Sequence, residues 1–137
     1  MECYPFYFSN DLSTLLKCDL VFAEFDYVGN ISECRRILRE YLIHKPNGAI
    51  VGGGLHMLGC QCAIYTKDNL ELFDIKTKRM LHHESHEVIP SMPAYACAIA
   101  AGMDVALAVR FLCNKHIVLN ETYLFNLDNF QIVRRPN

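Results

Sequence analysis

The chain reads as an α+β domain in which an antiparallel or mixed sheet of about six strands carries two helices, in the order β-α-β-β-β-β-α-β-β. Three observations lead to that reading. Two segments, near 31–43 and 92–113, have helical character. Most of the remaining pattern is a succession of short apolar or alternating runs separated by turn residues. Because these strands mostly follow one another, the helices are expected on one face of the sheet. The 137 residues hold no repeat, low-complexity tract or linker-like stretch, so 1–137 is taken as a single domain.

Residues 19–26, DLVFAEFD, read as the first strand. Asn30 then suits an N-cap, and Glu33 three residues on completes a capping-box pattern. Ile31, Cys34, Ile37, Leu38, Tyr41 and Leu42 fall on one helical face, with Glu33, Arg35, Arg36, Arg39 and Glu40 on the other. Lys45-Pro46-Asn47-Gly48 ends this helix. A Gly-interrupted apolar segment, 48–58, leads into a strand at 59–66 and a turn at Lys67-Asp68-Asn69. Leu70, Leu72 and Ile75 alternate as in a further strand, and 79–88 reads as another. Ser91 suits the cap and Pro93 the first turn of the long helix. Two final strands are expected near 116–125 and 129–134.

The long helix is apolar on nearly all sides. A two-layer domain has only one sheet to offer it, so a second subunit is the simplest cover for its outer face. At about 33 Å it is long enough to cross a bilayer. Gly102, Asp104 and Arg110 interrupt it, and the cost of a charge at membrane depth favours a buried soluble helix.

A formal charge of -2 and a pI near 6.3 give no basic field for nucleic acid. The cysteines Cys3, Cys18, Cys34, Cys60, Cys62, Cys97 and Cys113 are odd in number and irregular in spacing, a poor disulfide framework. The N-terminus lacks the basic flank and cleavage site of a signal peptide. The cysteine-rich chain is therefore expected to keep free thiols in a cytoplasmic compartment.

Chemistry concentrates at Cys60 and Cys62 and at the cluster His82-His83-Glu84-Ser85-His86-Glu87. On a strand Cys60 and Cys62 share a face, as do His82, Glu84 and His86. Cys60, Cys62, His82 and His86 would make four zinc ligands, but their spacing is not that of a zinc finger, and no metal or other cofactor is expected. A thiolate–imidazole pair is the other reading, with Cys60 or Cys62 as nucleophile, His82, His83 or His86 as base, and Glu84 or Glu87 as orienter. Against both stands the simpler account of two buried thiols and a solvated polar strand end. Gly52-Gly53-Gly54 allows close backbone approach to an anion, but no Gly-Lys-Ser/Thr follows, so a packing contact or β-bulge is expected.

The segment LGCQCAIYTKD, followed by MLHH and a helix starting PAYA, resembles the cysteine–histidine glutamine deamidases of the chemotaxis type. That resemblance implies a nucleophile at Cys60 or Cys62 and a base at His82 or His83. The run LVFAEFD, the helix 31–43 and GAIVGGGLH resemble the N-terminal part of the small bacterial S-adenosylmethionine decarboxylases. The later order of three strands, helix and strand extends this likeness over residues 19–125. The family self-cleaves at a Glu-Ser pair, where this chain has Lys67-Asp68-Asn69. Its catalytic residues are not in register here, so the resemblance implies a diverged relative.

Two function classes follow. The lack of a complete catalytic motif and the apolar second helix favour a small intracellular binding or inhibitor-type protein, immunity-like or phage-encoded, acting through association. The alternative is a small Cys/His-dependent enzyme of thiol amidase or deamidase type, or a diverged decarboxylase-like protein. The expected partners are a second copy, through the helix near 92–113, and a protein or small metabolite. Neither nucleic acid nor membrane is expected.

Overall fold

A computed structural model describes residues 12–24, 31–56, 59–82, 94–115, 119, 121–126 and 129–136. The fold is α+β, as the pattern implies. Strands β1 (Leu20–Phe22), β2 (Ala49–His56), β3 (Gly59–Tyr65), β4 (Glu121–Asn126) and β5 (Gln131–Pro136) form one mixed sheet in that spatial order. β1 runs parallel to β2, and every later neighbour is antiparallel. The helices are a short α1 (Leu12–Leu15), α2 (Ile31–His44), α3 (Leu70–His82) and α4 (Ala94–Leu112).

α2 forms where the apolar spacing places it. Ile31, Ile37, Leu38, Tyr41 and Leu42 are buried, and Leu38, Tyr41 and Leu42 are fully so. Glu33 in the first turn pairs with Arg36 at 2.7 Å. The helix stops at His44 because Pro46 cannot continue it and disfavours helical geometry at the residue before it. Arg35 departs from the expected polar face and is buried. Its guanidinium lies over the Phe73 ring, 4.2 Å from the centroid, and its Nε donates to Thr77 Oγ1 at 3.0 Å. Beside it, Arg39 grips Asp74 through two hydrogen bonds of 2.9 and 3.2 Å.

Those partners lie on α3, the main correction to the sequence reading. Residues 70–75 and 79–82 were expected as strands and are one helix. Thr66 caps the preceding 3-10 turn (Lys67–Asn69): its hydroxyl accepts from the Asp68 amide at 3.2 Å, and Asn69 Oδ1 accepts from the Thr66 amide at 2.7 Å. Asn69 Nδ2 also donates to the carbonyls of Ile64 and Leu119, tying the cap to β3 and to the approach to β4. With the chain already turned and capped, Leu72 and Phe73 enter the core together, as a helix allows and a single strand face does not.

The second correction concerns the layers. Helices cover both faces of the sheet. Ile50, Ala63 and Tyr65 pack with Leu38, Tyr41, Leu42, Leu72 and Phe73 on the α2–α3 side. Ala49, Val51, Cys62 and Ile64 pack with Leu107 and Ala108 of α4 on the other. β3 therefore lies between two helical layers and is buried almost throughout. Gly53 answers to packing as well: a Cβ there would run into the Gln61 carbonyl on β3.

α4 was expected to be buried on most sides. Within the single chain it is not: Ala96, Asp104, Leu107 and Ala108 are buried, while Tyr95, Val105, Val109 and Leu112 are each more than half exposed. The β4 and β5 strands lie near their expected positions, and Phe130 precedes β5 in a left-handed conformation, φ 55°.

Candidate functional site

Cys60 and Cys62 do share a face of β3, the face under α4. Both are about 1% exposed. Among the described residues the Cys60 thiol reaches the Met103 thioether, at 3.8 Å. Burial, and then the nearby Asp104 carboxyl, push the Cys60 thiol above its ordinary range and Cys62 up to about 12. Such thiols stay protonated at neutral pH, the reverse of what a nucleophile requires. α3, the helix that ends at His82, packs on the opposite face of the sheet. His83, Glu84 and His86 lie outside the described residues, as do Asn30, Ser91 and Pro93. The six described cysteines, Cys18, Cys34, Cys60, Cys62, Cys97 and Cys113, are free thiols.

A different set of residues surrounds the concave part of the molecule. β1 and β2 are parallel, and β1 ends at Phe22, opposite Val51, while β2 runs on to His56. There Phe22 and Glu24 from the β1 side, Leu55 from β2, and Ala100, Asp104 and Val105 from α4 bound a cleft of about 400 Å³. The C-terminal ends of parallel strands are where open sheets with helices on both faces bind ligands. The walls are mostly apolar.

Asp104 sits at the inner side of this cleft. It is 2% exposed, and its Oδ1 has no hydrogen-bond partner. Glu24, itself exposed, lies within hydrogen-bonding reach of the carboxyl. Burial, then the charge of Glu24 and that hydrogen bond, push Asp104 up to about 8. At neutral pH Asp104 therefore keeps its proton, because burial and the neighbouring Glu24 carboxyl both disfavour its charged form. The sequence marks Asp104 as the lone acid within an otherwise apolar run. That signal bears on a membrane crossing, and it also points to this cleft.

No family model matches the chain, and no curated protein matches it. Solved structures do. The crystal structure of selenomethionine PaaA superposes with a TM-score of 0.61 at 15% identity, over 93% of this chain and 46% of that one. Escherichia coli MccB with AMPCPP and MccA gives 0.59 at 17% identity, over 93% of this chain and 40% of that one. MccB with ATP gives 0.57 at 16% identity, over 93% and 40%. At these identities the likeness is one of fold. The chain spans less than half the length of the structures it matches. The third successive strand that the decarboxylase resemblance implies is helix α3 in this fold.

Proposed function

We propose that the protein acts by association, with the outer face of α4 as its interface and a second copy of the same chain as the occupant of that face. The exposed apolar side of α4 carries this reading. Ala94, Ala98, Ala101, Val105, Val109 and Leu112 recur at helical spacing, and all six are exposed. Val105 and Val109 are 53% exposed and Leu112 57%. The stripe carries no charge, so it offers nothing to an acidic or basic partner. Its small side chains let a like helix approach closely, and a twofold pairing sets the same patch against itself. Withdrawing a Val or Leu side chain from water is worth roughly 1.5–3 kcal/mol when complete.

The structural neighbours support association in a coarse sense, since MccB is seen together with MccA. They also include MccB with ATP. A nucleotide-handling role for this chain is not favoured, because its cleft presents Glu24 and Asp104 and, among the described residues, is lined by no Lys or Arg. A phosphate there would meet carboxylates.

Val109→Glu tests the proposal, because it places a charge in the stripe without touching the cleft or the sheet. Light scattering after gel filtration should give a dimer mass for the unaltered protein and a monomer mass for the variant, with unchanged circular dichroism. An unaltered protein that is monomeric, or a variant that still dimerises, would overturn it. By length and composition α4 could also cross a bilayer. Recovery of the unaltered protein only with membranes would replace self-association by that reading.

A further inference from the structure

α4 covers only part of its face of the sheet. Among the described residues it is the one helix on that face, and it lies over β2 and β3. The strand register shows what is left open. Phe125 stands opposite Cys60, and Tyr123 opposite Cys62, so both rings point to the α4 side. Ile132 stands opposite Phe125 and points the same way. Ile132 is 62% exposed, and Phe130, which meets Phe125 edge-on at 6.3 Å, is 76% exposed. The charges described on this β4–β5 platform, Arg134 and Glu121, face each other at 3.7 Å, so the platform carries no net charge.

α4 is open on the side that looks toward this platform. Its outer stripe, with Val105, Val109 and Leu112, lies opposite the residues that meet its own sheet. One flank borders the cleft beside β1. The other, toward β4, carries Gly102 and Ala106, both exposed. A Cβ added to Gly102 would meet no atom within 4 Å. Glycine inside a helix is destabilising relative to alanine, and nothing in the chain's own packing requires it here. Close approach of a second helix does require it.

We propose that the α4 helix of a second copy lies beside α4 over β4 and β5, so that the dimer holds a parallel pair of helices between two sheets. This deepens the association reading and rests on it. Strands lie about 4.8 Å apart and packed helices about 8–10 Å apart, so two uncovered strands leave the width of one helix. The twofold axis runs along the helix pair. Each helix then has its own β2 and β3 on one side and the other copy's platform on the opposite side. The outer stripe rests on Phe125, Phe130 and Ile132 of the other copy, and the helices meet flank to flank at Gly102 and Ala106. A single helix face, about 28 Å by 10 Å in outline, falls well short of the roughly 800 Å² that each partner of a stable complex usually buries. Outer face, flank and platform together approach that area. Stripe and platform both lack net charge, which matches them to each other and gives an acidic or basic partner no hold.

Three variants, read by sedimentation equilibrium with circular dichroism as the check on folding, test this arrangement. Ile132 is exposed and Gly102 has open space around it, so the first two changes leave the single chain intact. Ile132→Glu should weaken dimerisation at least about tenfold by placing an unpaired charge in the interface. Gly102→Leu should weaken it by about tenfold or more by forcing the helices apart. Val133→Glu, next to Ile132 but on the opposite side of the sheet, should leave dimerisation unchanged. The chain has no tryptophan, so Ile132→Trp supplies a single one. Its emission should shift to shorter wavelength as concentration rises, and should not shift when Val109→Glu is added. An unaltered protein that is monomeric would overturn both this arrangement and the association reading. A dimer that Val109→Glu breaks, but that Ile132→Glu or Gly102→Leu leaves intact, would overturn the arrangement alone. Equal loss with Val133→Glu, or tryptophan emission that stays constant while the dimer forms, would overturn it as well.

Discussion

Asp104→Asn should make the protein more stable at alkaline pH and leave it nearly unchanged in acid. Asparagine has the shape of a protonated aspartic acid and cannot ionise, so the variant holds the carboxyl in its neutral form permanently. In the folded protein Asp104 keeps its proton up to about pH 8, whereas its ordinary value is 3.8. Between those values the native state binds more protons than the unfolded chain, so stability is fully present below about pH 4 and declines as pH rises to about 8. At 1.36 kcal/mol per unit, the full displacement from 3.8 to about 8 sets a ceiling of roughly 6 kcal/mol. Glu24 is exposed to water, which screens its share, so about half the ceiling, roughly 3 kcal/mol, is expected. Urea denaturation between pH 5 and pH 8.5 measures it. The two proteins should agree within about 1 kcal/mol at the acid end and diverge steadily, the variant being the more stable above pH 8. Titration of the other acids cancels in the difference. Parallel stability curves, with a constant gap across that range, would refute the placement of Asp104 beside Glu24 in a dry site.

Further substitutions test the fold. Leu38→Ala or Ile37→Ala should cost roughly 2–4 kcal/mol in denaturant melts, because both side chains are buried, while Arg36→Ala, on the exposed side, should cost less than about 0.5 kcal/mol. Thr66→Ala should cost about 1 kcal/mol in the same melts by removing the cap of the 3-10 turn that leads into α3. Gly53→Ala should cost more than about 2 kcal/mol or prevent folding, because the new Cβ strikes the Gln61 carbonyl in the centre of the sheet, and a neutral result in the same melts would mean that β2 and β3 pair in another register.

Elements with a one-sided or continuous apolar pattern were legible in the sequence. α2 shows five buried apolar positions on one face, and β3 reads as the short apolar run of a strand covered from both sides. That same run was the available sign that helices lie on both faces. α3 was misread because Leu70, Leu72 and Ile75 imitate strand alternation. The opposing signals were Thr66 and Asn69 at capping distance and sixteen residues, 67–82, free of Gly and Pro. The burial of Arg35 followed from that error, since Phe73, Thr77 and Asp74 organise the two arginines only if they lie on a facing helix. The layers around the two cysteines were illegible for a related reason. Alternation shows that Cys60 and Cys62 share a face, but not which helix covers it. The Asp104–Glu24 pair joins residues eighty positions apart. No local pattern links them, and only the docking of α4 on β2 and β3 brings them together.

Sedimentation equilibrium of the unaltered chain bears most directly on the proposal that α4 associates with its own copy. Run from roughly 1 to 100 µM, so that mass action becomes visible, it should report a mass moving from 15.7 kDa for one chain toward about twice that value. A single species of 15.7 kDa at every concentration would contradict it.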